Sequence, residues 1–153
     1  MMTVITTSPK IILDAESGST KKIQGKIEFR NVYFKYPTRN EWVLKDISFV
    51  VNPSESAAIV GTSGSGKSTL ILLLERFYEI TSGQILIDDI DIKEYNLTHL
   101  RKSMSYVSQE PVLFDSTIED NIKYGKREAT EEEVKQAAII SCAMPFIEKD
   151  IEK

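Results

Sequence analysis

At 153 residues, with 41% hydrophobic and 27% charged side chains, the chain has the length and balance of one globular domain with room for a sizeable core. A formal net charge of -4 provides no general basic field, so neither nucleic acid nor an anionic membrane surface is the expected partner. Cys142, the only cysteine, excludes an internal disulfide and is expected as a small buried residue, while no apolar run approaches the roughly 20 residues of a membrane-spanning helix.

Residues 1–25 mix Thr, Ser, Lys and Gly around one apolar patch, Ile11-Ile12-Leu13, and show no sustained period, so they read as a linker or disordered tail. They also lack the basic start and apolar stretch of a secretory signal. From Lys26 the pattern turns to strands. Ile27 and Phe29 alternate with Glu28 and Arg30, then Val32 and Phe34 with Tyr33 and Lys35, until Pro37 removes a backbone donor. Trp42-Val43-Leu44 and Ile47 to Val51 continue as strand candidates separated by Lys45-Asp46, and Asn52-Pro53-Ser54-Glu55-Ser56 is a turn cluster. This part reads as an antiparallel sheet.

Ala57-Ala58-Ile59-Val60 is a short apolar run suited to a buried strand, and Leu70, Leu73, Leu74 and Phe77 repeat at helical spacing. Between them, Gly61-Thr62-Ser63-Gly64-Ser65-Gly66-Lys67-Ser68-Thr69 satisfies the phosphate-loop pattern G-x-x-x-x-G-K-[ST] at every required position. Phosphate oxygens need donors converging from one side, and closely curved backbone with glycines presents successive amides in that way. Lys67 places a mobile charge beside the β- and γ-phosphates, Ser68 can complete a magnesium shell, and Thr69 reaches the α-phosphate.

The helix after the loop is expected to reach about Tyr78, and Thr81-Ser82-Gly83 to stop it before a short strand, Ile85-Leu86-Ile87, that runs into Asp88-Asp89. Asn96 to Arg101 reads as a capped helix, with His99 in it as surface structure, and Met104 to Ser108 as a further strand ended by Gln109-Glu110-Pro111. The remainder is helical: Ser116 with Glu119 and Thr130 with Glu133 have capping-box spacing, Gly125 can supply a left-handed end, and the last helix should end near Pro145.

Phe34-Lys35-Tyr36-Pro37, the phosphate loop, and Tyr106-Val107-Ser108-Gln109-Glu110-Pro111-Val112-Leu113-Phe114 stand in the order and spacing of an ATP-binding-cassette (ABC) domain, which the chain resembles from about Lys26 to its end. Tyr36-Pro37-Thr38-Arg39, Asn96-Leu97-Thr98 with Leu100-Arg101, and Leu113 to Ile122 are most similar to the multidrug-exporter type, the B subfamily. The resemblance implies an α/β phosphate-loop NTPase fold, an ABC-type ATPase core with an antiparallel β-subdomain and the start of a helical subdomain. It divides residues 26–153 into sheet and loop core (26–114) and helical start (115–153).

The resemblance also implies roles. On its own residues Tyr36 reads as a strand-edge tyrosine; in the family it would stack on adenine. Gln109 would join the magnesium shell or orient a water, making Lys67 and Gln109 the catalytic pair and Ser68 and Gln109 the metal ligands, with ATP and Mg2+ as cofactors. Partners would be membrane-embedded helices, through the Gln109 to Tyr124 region, and a second nucleotide-binding domain, on the cytoplasmic face of a membrane.

Where the family usually has glycines, Asp89 and Ser54 stand instead, which puts those turns in question. Asp88-Asp89 also resembles the metal-binding strand end of other phosphate-loop enzymes, although three apolar residues make a short strand for a central sheet and favour a structural role. The family's glycine-rich signature, catalytic glutamate and switch histidine are not found in this sequence, so it is expected as an N-terminal piece that lacks hydrolysis by itself. Two other readings stay open: a truncated, non-hydrolysing binding module, and a soluble GTPase or kinase using Asp88, the latter without any N-K-x-D sequence to read guanine.

Overall fold

The computed structural model describes Ile11 and residues 17–151, which fall into two compact units, one up to Tyr106 and one from Val107. In the first, strands β1 (Ile27–Phe34), β2 (Leu44–Val51), β3 (Ser82–Ile87) and β4 (Ile90–Asp91) form an antiparallel sheet in the order β2-β1-β3-β4. Helix α1 (Lys67–Leu74), a 3-10 turn (Ile92–Glu94) and α2 (Leu97–Lys102) complete it.

The two split patterns in the sequence each become one bulged strand. The apolar phase slips by one residue between Phe29 and Val32 and again between Leu44 and Ile47, and a continuous ladder absorbs a slip only through an extra residue. Asn31 and Asp46 supply it at φ 46 and 52, and the Asn31 amide donates to the Asp46 carboxylate at 2.8 Å. Both apolar sets thereby stay in phase with the pleat. Phe29 stacks on its cross-strand partner Phe49 at 4.6 Å, and Val32, Phe34, Leu73, Ile85, Ile87 and Leu100 are the fully buried centre of the core.

Helix α1 ends earlier than its apolar spacing predicts. Arg76, at φ 52, takes the left-handed position after the cap, with its amide donating to Leu73 O at 3.0 Å and that of Phe77 to Leu72 O at 2.9 Å. Phe77 is thus turned off the helix and is 52% exposed instead of joining Leu70 and Leu73. The Arg101 guanidinium, 4.6 Å from the Phe77 ring, donates to Glu75 O and Arg76 O at 3.0 Å each, satisfying carbonyls that the helix end leaves open.

Asp88 and Asp89, at φ 50 and 65, form the two-residue turn between β3 and β4. The Asp88 carboxylate accepts from the amides of Gln24, Gly25 and Lys26 at 2.5, 3.1 and 2.9 Å, and Asp89 pairs with Lys26 at 2.6 Å. The paired acids therefore have a structural use: they pin the segment that leads into β1. Most of the sequence's expected tail lies outside the described residues. In its described part Ser19 exchanges backbone hydrogen bonds with Glu94 and Asn96, and Ile23 packs on the core.

Two expected strands are not formed. Ala57 to Val60 and Met104 to Ser108 have no ladder among the described residues, and Val60 and Val107 are each 91% exposed. A buried parallel strand needs a neighbour along its edge, and all four named strands belong to the antiparallel sheet. The phosphate loop is consequently preceded by unpaired backbone, not by a strand.

The second unit carries helices α3 (Ile118–Lys123), α4 (Glu131–Ile140) and α5 (Met144–Ile151). Thr130 and Glu133 make the expected capping box. The first cap is Thr117, not Ser116: Thr117 Oγ1 accepts from the Asp120 amide at 3.0 Å, while Ser116 donates to the Asp120 carboxylate at 2.7 Å. Gly125 is not left-handed. Pro145 lies in the first turn of α5, where its missing N–H costs nothing, and α4 ends before it at Ser141. Cys142 is exposed, not buried. It occupies the left-handed position after α4 at φ 58, donating to Ile139 O, while Ala143 donates to Ala138 O.

Candidate phosphate-binding site

Gly66 is the residue on which the loop turns into α1. It caps the helix at φ 90 and is buried; a Cβ there would stand 2.8 Å from Leu44 Cδ2 and 3.1 Å from Val43 Cγ1. The start of β2 is thus the floor of the loop, and only a residue without a side chain fits between floor and helix. Val43 and Leu44 carry no sequence signal for this, because apolar strand residues look alike whatever lies above them.

Beyond Gly66 the helix holds itself in place with Leu70 and Leu73 in the core, and no acidic residue enters its first turn. The positive end of its dipole is therefore not offset from within its own first turn. Lys67 Nζ bends back over the loop and donates to Gly61 O at 2.9 Å and Thr62 O at 2.7 Å. Ser65 closes a tight turn with its amide on Thr62 O at 3.2 Å, next to the two carbonyls that hold the ammonium. Ser63, Gly64, Ser65 and Ser68 are exposed, Ser68 following Lys67 in the first turn of α1. A cation on a tightly turned loop at a helix N-terminus fits a polyphosphate, and a hydroxyl on an exposed residue next to it fits a hard divalent cation.

Tyr36, two residues past the end of β1, joins this loop through Thr69. Pro37 and Thr38 form a turn closed by the Arg39 amide on Tyr36 O at 2.9 Å, and the Tyr36 ring is held by perpendicular contacts with Phe34 at 5.0 Å and Tyr78 at 5.1 Å. Its hydroxyl lies 3.0 Å from Thr69 Oγ1. The structure thus brings Tyr36 together with the phosphate loop, as their assignment to one ligand requires. Gln109 belongs to the second unit and is exposed. Asp88, whose carboxylate is engaged by three amides, is no part of the loop, and no group of three or more potential metal-ligating side chains occurs among the described residues.

Comparison with known proteins gives the family and the fold. The family model described as ABC transporter matches residues 44–151. The chain is 47% identical over 135 residues to ABC transporter B family member 6 of Arabidopsis thaliana, covering 88% of this chain and 10% of that protein. It is 43% identical over 151 residues to B family member 21 of the same plant, covering 97% and 12%. Among solved structures, a bacterial Atm1-family ABC exporter with ATP bound superposes with a TM-score of 0.87 at 38% identity, covering 95% of this chain and 25% of that one. The chain spans about a tenth of the length of the curated relatives it matches.

Proposed function

The chain belongs to the ABC transporter family, and we propose that it forms the ATP-binding part of an exporter's ATPase domain, within a protein that couples ATP binding and hydrolysis to transport. The observation that carries this reading is the Lys67 ammonium folded back onto the phosphate loop at Gly61 O and Thr62 O, with Tyr36 tied to the same loop through Thr69. On binding, Lys67 exchanges its two carbonyl partners for β- and γ-phosphate oxygens, the amides of the loop and the first turn of α1 take the remaining oxygens, and Tyr36 serves the adenine. Ser68 and Gln109 would hold Mg2+, which when bound neutralises phosphate charge; Gln109 would also orient a water.

The Gln109 to Tyr124 region is proposed to meet the transporter's membrane-embedded helices, and a second such domain to close on the nucleotide. That places the chain at the cytoplasmic face of a membrane. No helix among the described residues is itself long and apolar enough to cross one. By itself the chain is proposed to bind ATP without turning it over, since positioning a nucleophile in line needs groups this sequence does not carry. The unpaired Ala57 to Val60 and Met104 to Ser108 segments support a sheet completed by residues outside this sequence.

The GTPase or kinase reading loses its metal ligand to the Gln24, Gly25 and Lys26 amides. Calorimetry of the chain with magnesium-ATP tests the proposal. Lys67→Ala should abolish binding, Tyr36→Ala should weaken it, and GTP should bind more weakly than ATP. Unimpaired binding by Lys67→Ala would refute it.

A further inference from the structure

Tyr36 and Thr69 are assigned above to opposite ends of one ligand, the base and the α-phosphate, yet their hydroxyls stand 3.0 Å apart. Neither side chain has much freedom to leave. Thr69 is only 5% exposed, in the first turn of a helix whose entry Gly66 fixes; Tyr36 is half-buried between the rings of Phe34 and Tyr78. The contact links residues 33 apart in sequence and is therefore a product of the fold.

The direction of this hydrogen bond matters. A hydroxyl carries one proton and two acceptor positions, and an ionised phosphate oxygen can only accept. Thr69 serves a phosphate only by donating its single proton. If Thr69 donated to Tyr36 that proton would be occupied; if Tyr36 donates to Thr69 Oγ1, the Thr69 proton is left for the ligand. A donor acting on Oγ1 also polarises the Thr69 O–H and strengthens the bond it makes.

We propose that Tyr36 is a positioning residue for the phosphate site: its hydroxyl donates to Thr69 Oγ1 and turns the Thr69 proton toward the nucleotide's phosphate, so that the base end and the phosphate end of the site are coupled through one hydrogen bond. The inference rests on the ATP-site reading. It separates the Tyr36 ring, which serves the base, from the Tyr36 hydroxyl, which serves the phosphate.

The test is calorimetry of the full chain with magnesium and either ATP or inorganic tripolyphosphate, which has no base. Tyr36→Phe keeps the ring and should weaken both ligands by the same factor, roughly three- to ten-fold, the range for one hydrogen bond. The loss should vanish in a Thr69→Val background, where no hydroxyl remains to be oriented, and persist in Thr69→Ser. A ring that only stacks leaves Tyr36→Phe unchanged for both ligands, and that result overturns the inference, as does a loss confined to ATP. An equal loss in the Thr69→Val background also overturns it, because it would reflect a general loosening. If the unsubstituted chain binds neither ligand, the ATP-site reading fails for this chain and the inference falls with it; if it binds both and the two substitutions are additive, only the inference falls.

Discussion

Replacing Asp88 by alanine should destabilise the first unit by about 2–4 kcal/mol while leaving magnesium-dependent nucleotide binding intact. Three backbone amides donate to the Asp88 carboxylate, Gln24 to Oδ2 and both Gly25 and Lys26 to Oδ1. A hydrogen bond contributes a net of about 0.5–1.5 kcal/mol, and more to a buried charged group; with this carboxylate only half-buried and screened by water, each contributes about 1 kcal/mol. Alanine at φ 50 adds about 1 kcal/mol of backbone strain. Asp88→Asn retains an oxygen where Oδ1 stands and should lose only about 1 kcal/mol. Urea unfolding gives the free energies, and amide hydrogen exchange locates them: residues 24–26 should lose protection in Asp88→Ala first. An unfolding free energy within about 0.5 kcal/mol of the unsubstituted chain, with exchange at 24–26 unchanged, would refute the clamp. Loss of magnesium dependence would restore Asp88 as a metal ligand.

Three further outcomes follow from the geometry. Cys142→Gly relieves a non-glycine residue at φ 58 after α4 and should stabilise the second unit by about 1 kcal/mol, read as a raised urea midpoint. The Glu133 carboxyl is held below its ordinary value, first by the Lys126 ammonium and then by the Thr130 amide, so its contribution is present above the unfolded value of 4.5 and is lost as pH falls through the lower folded value. Glu133→Gln should therefore fray α4 near neutral pH and match the unsubstituted chain in strong acid, as followed by far-UV circular dichroism; a deficit that persists in acid would contradict the assignment. Arg101→Met removes two donors from the end of α1 and should cost about 1–2 kcal/mol in urea unfolding, with increased exchange at Phe77.

Failures of the sequence reading share a cause. Ala57 to Val60 has a strand's composition, but a strand is a relation between chains of backbone, and no partner among the described residues pairs with it. Phe77 continues the apolar spacing of α1, but the spacing does not reveal that Arg76 turns left-handed and ends the helix. The Ser116 cap failed by one residue because both Ser116 and Thr117 have an acid at a suitable distance, and the choice falls to backbone geometry.

What the sequence determined by itself was part of what neighbours along the chain govern: the motifs whose spacing admits a single register. The phosphate-loop pattern, the Thr130 to Glu133 box and the Asn96 cap are set by residues close together in the chain, so spacing alone specifies them, whereas the fold-back of Lys67 onto Gly61 O and Thr62 O was visible only in the structure. The tertiary structure alone decided contacts across long separations: Asp88 with residues 62–64 positions away, Arg101 with the end of α1, Tyr36 with Thr69, and Val43 and Leu44 beneath Gly66. These meet only because the antiparallel sheet and the core bring distant segments together, and spacing along one stretch of chain carries no record of that.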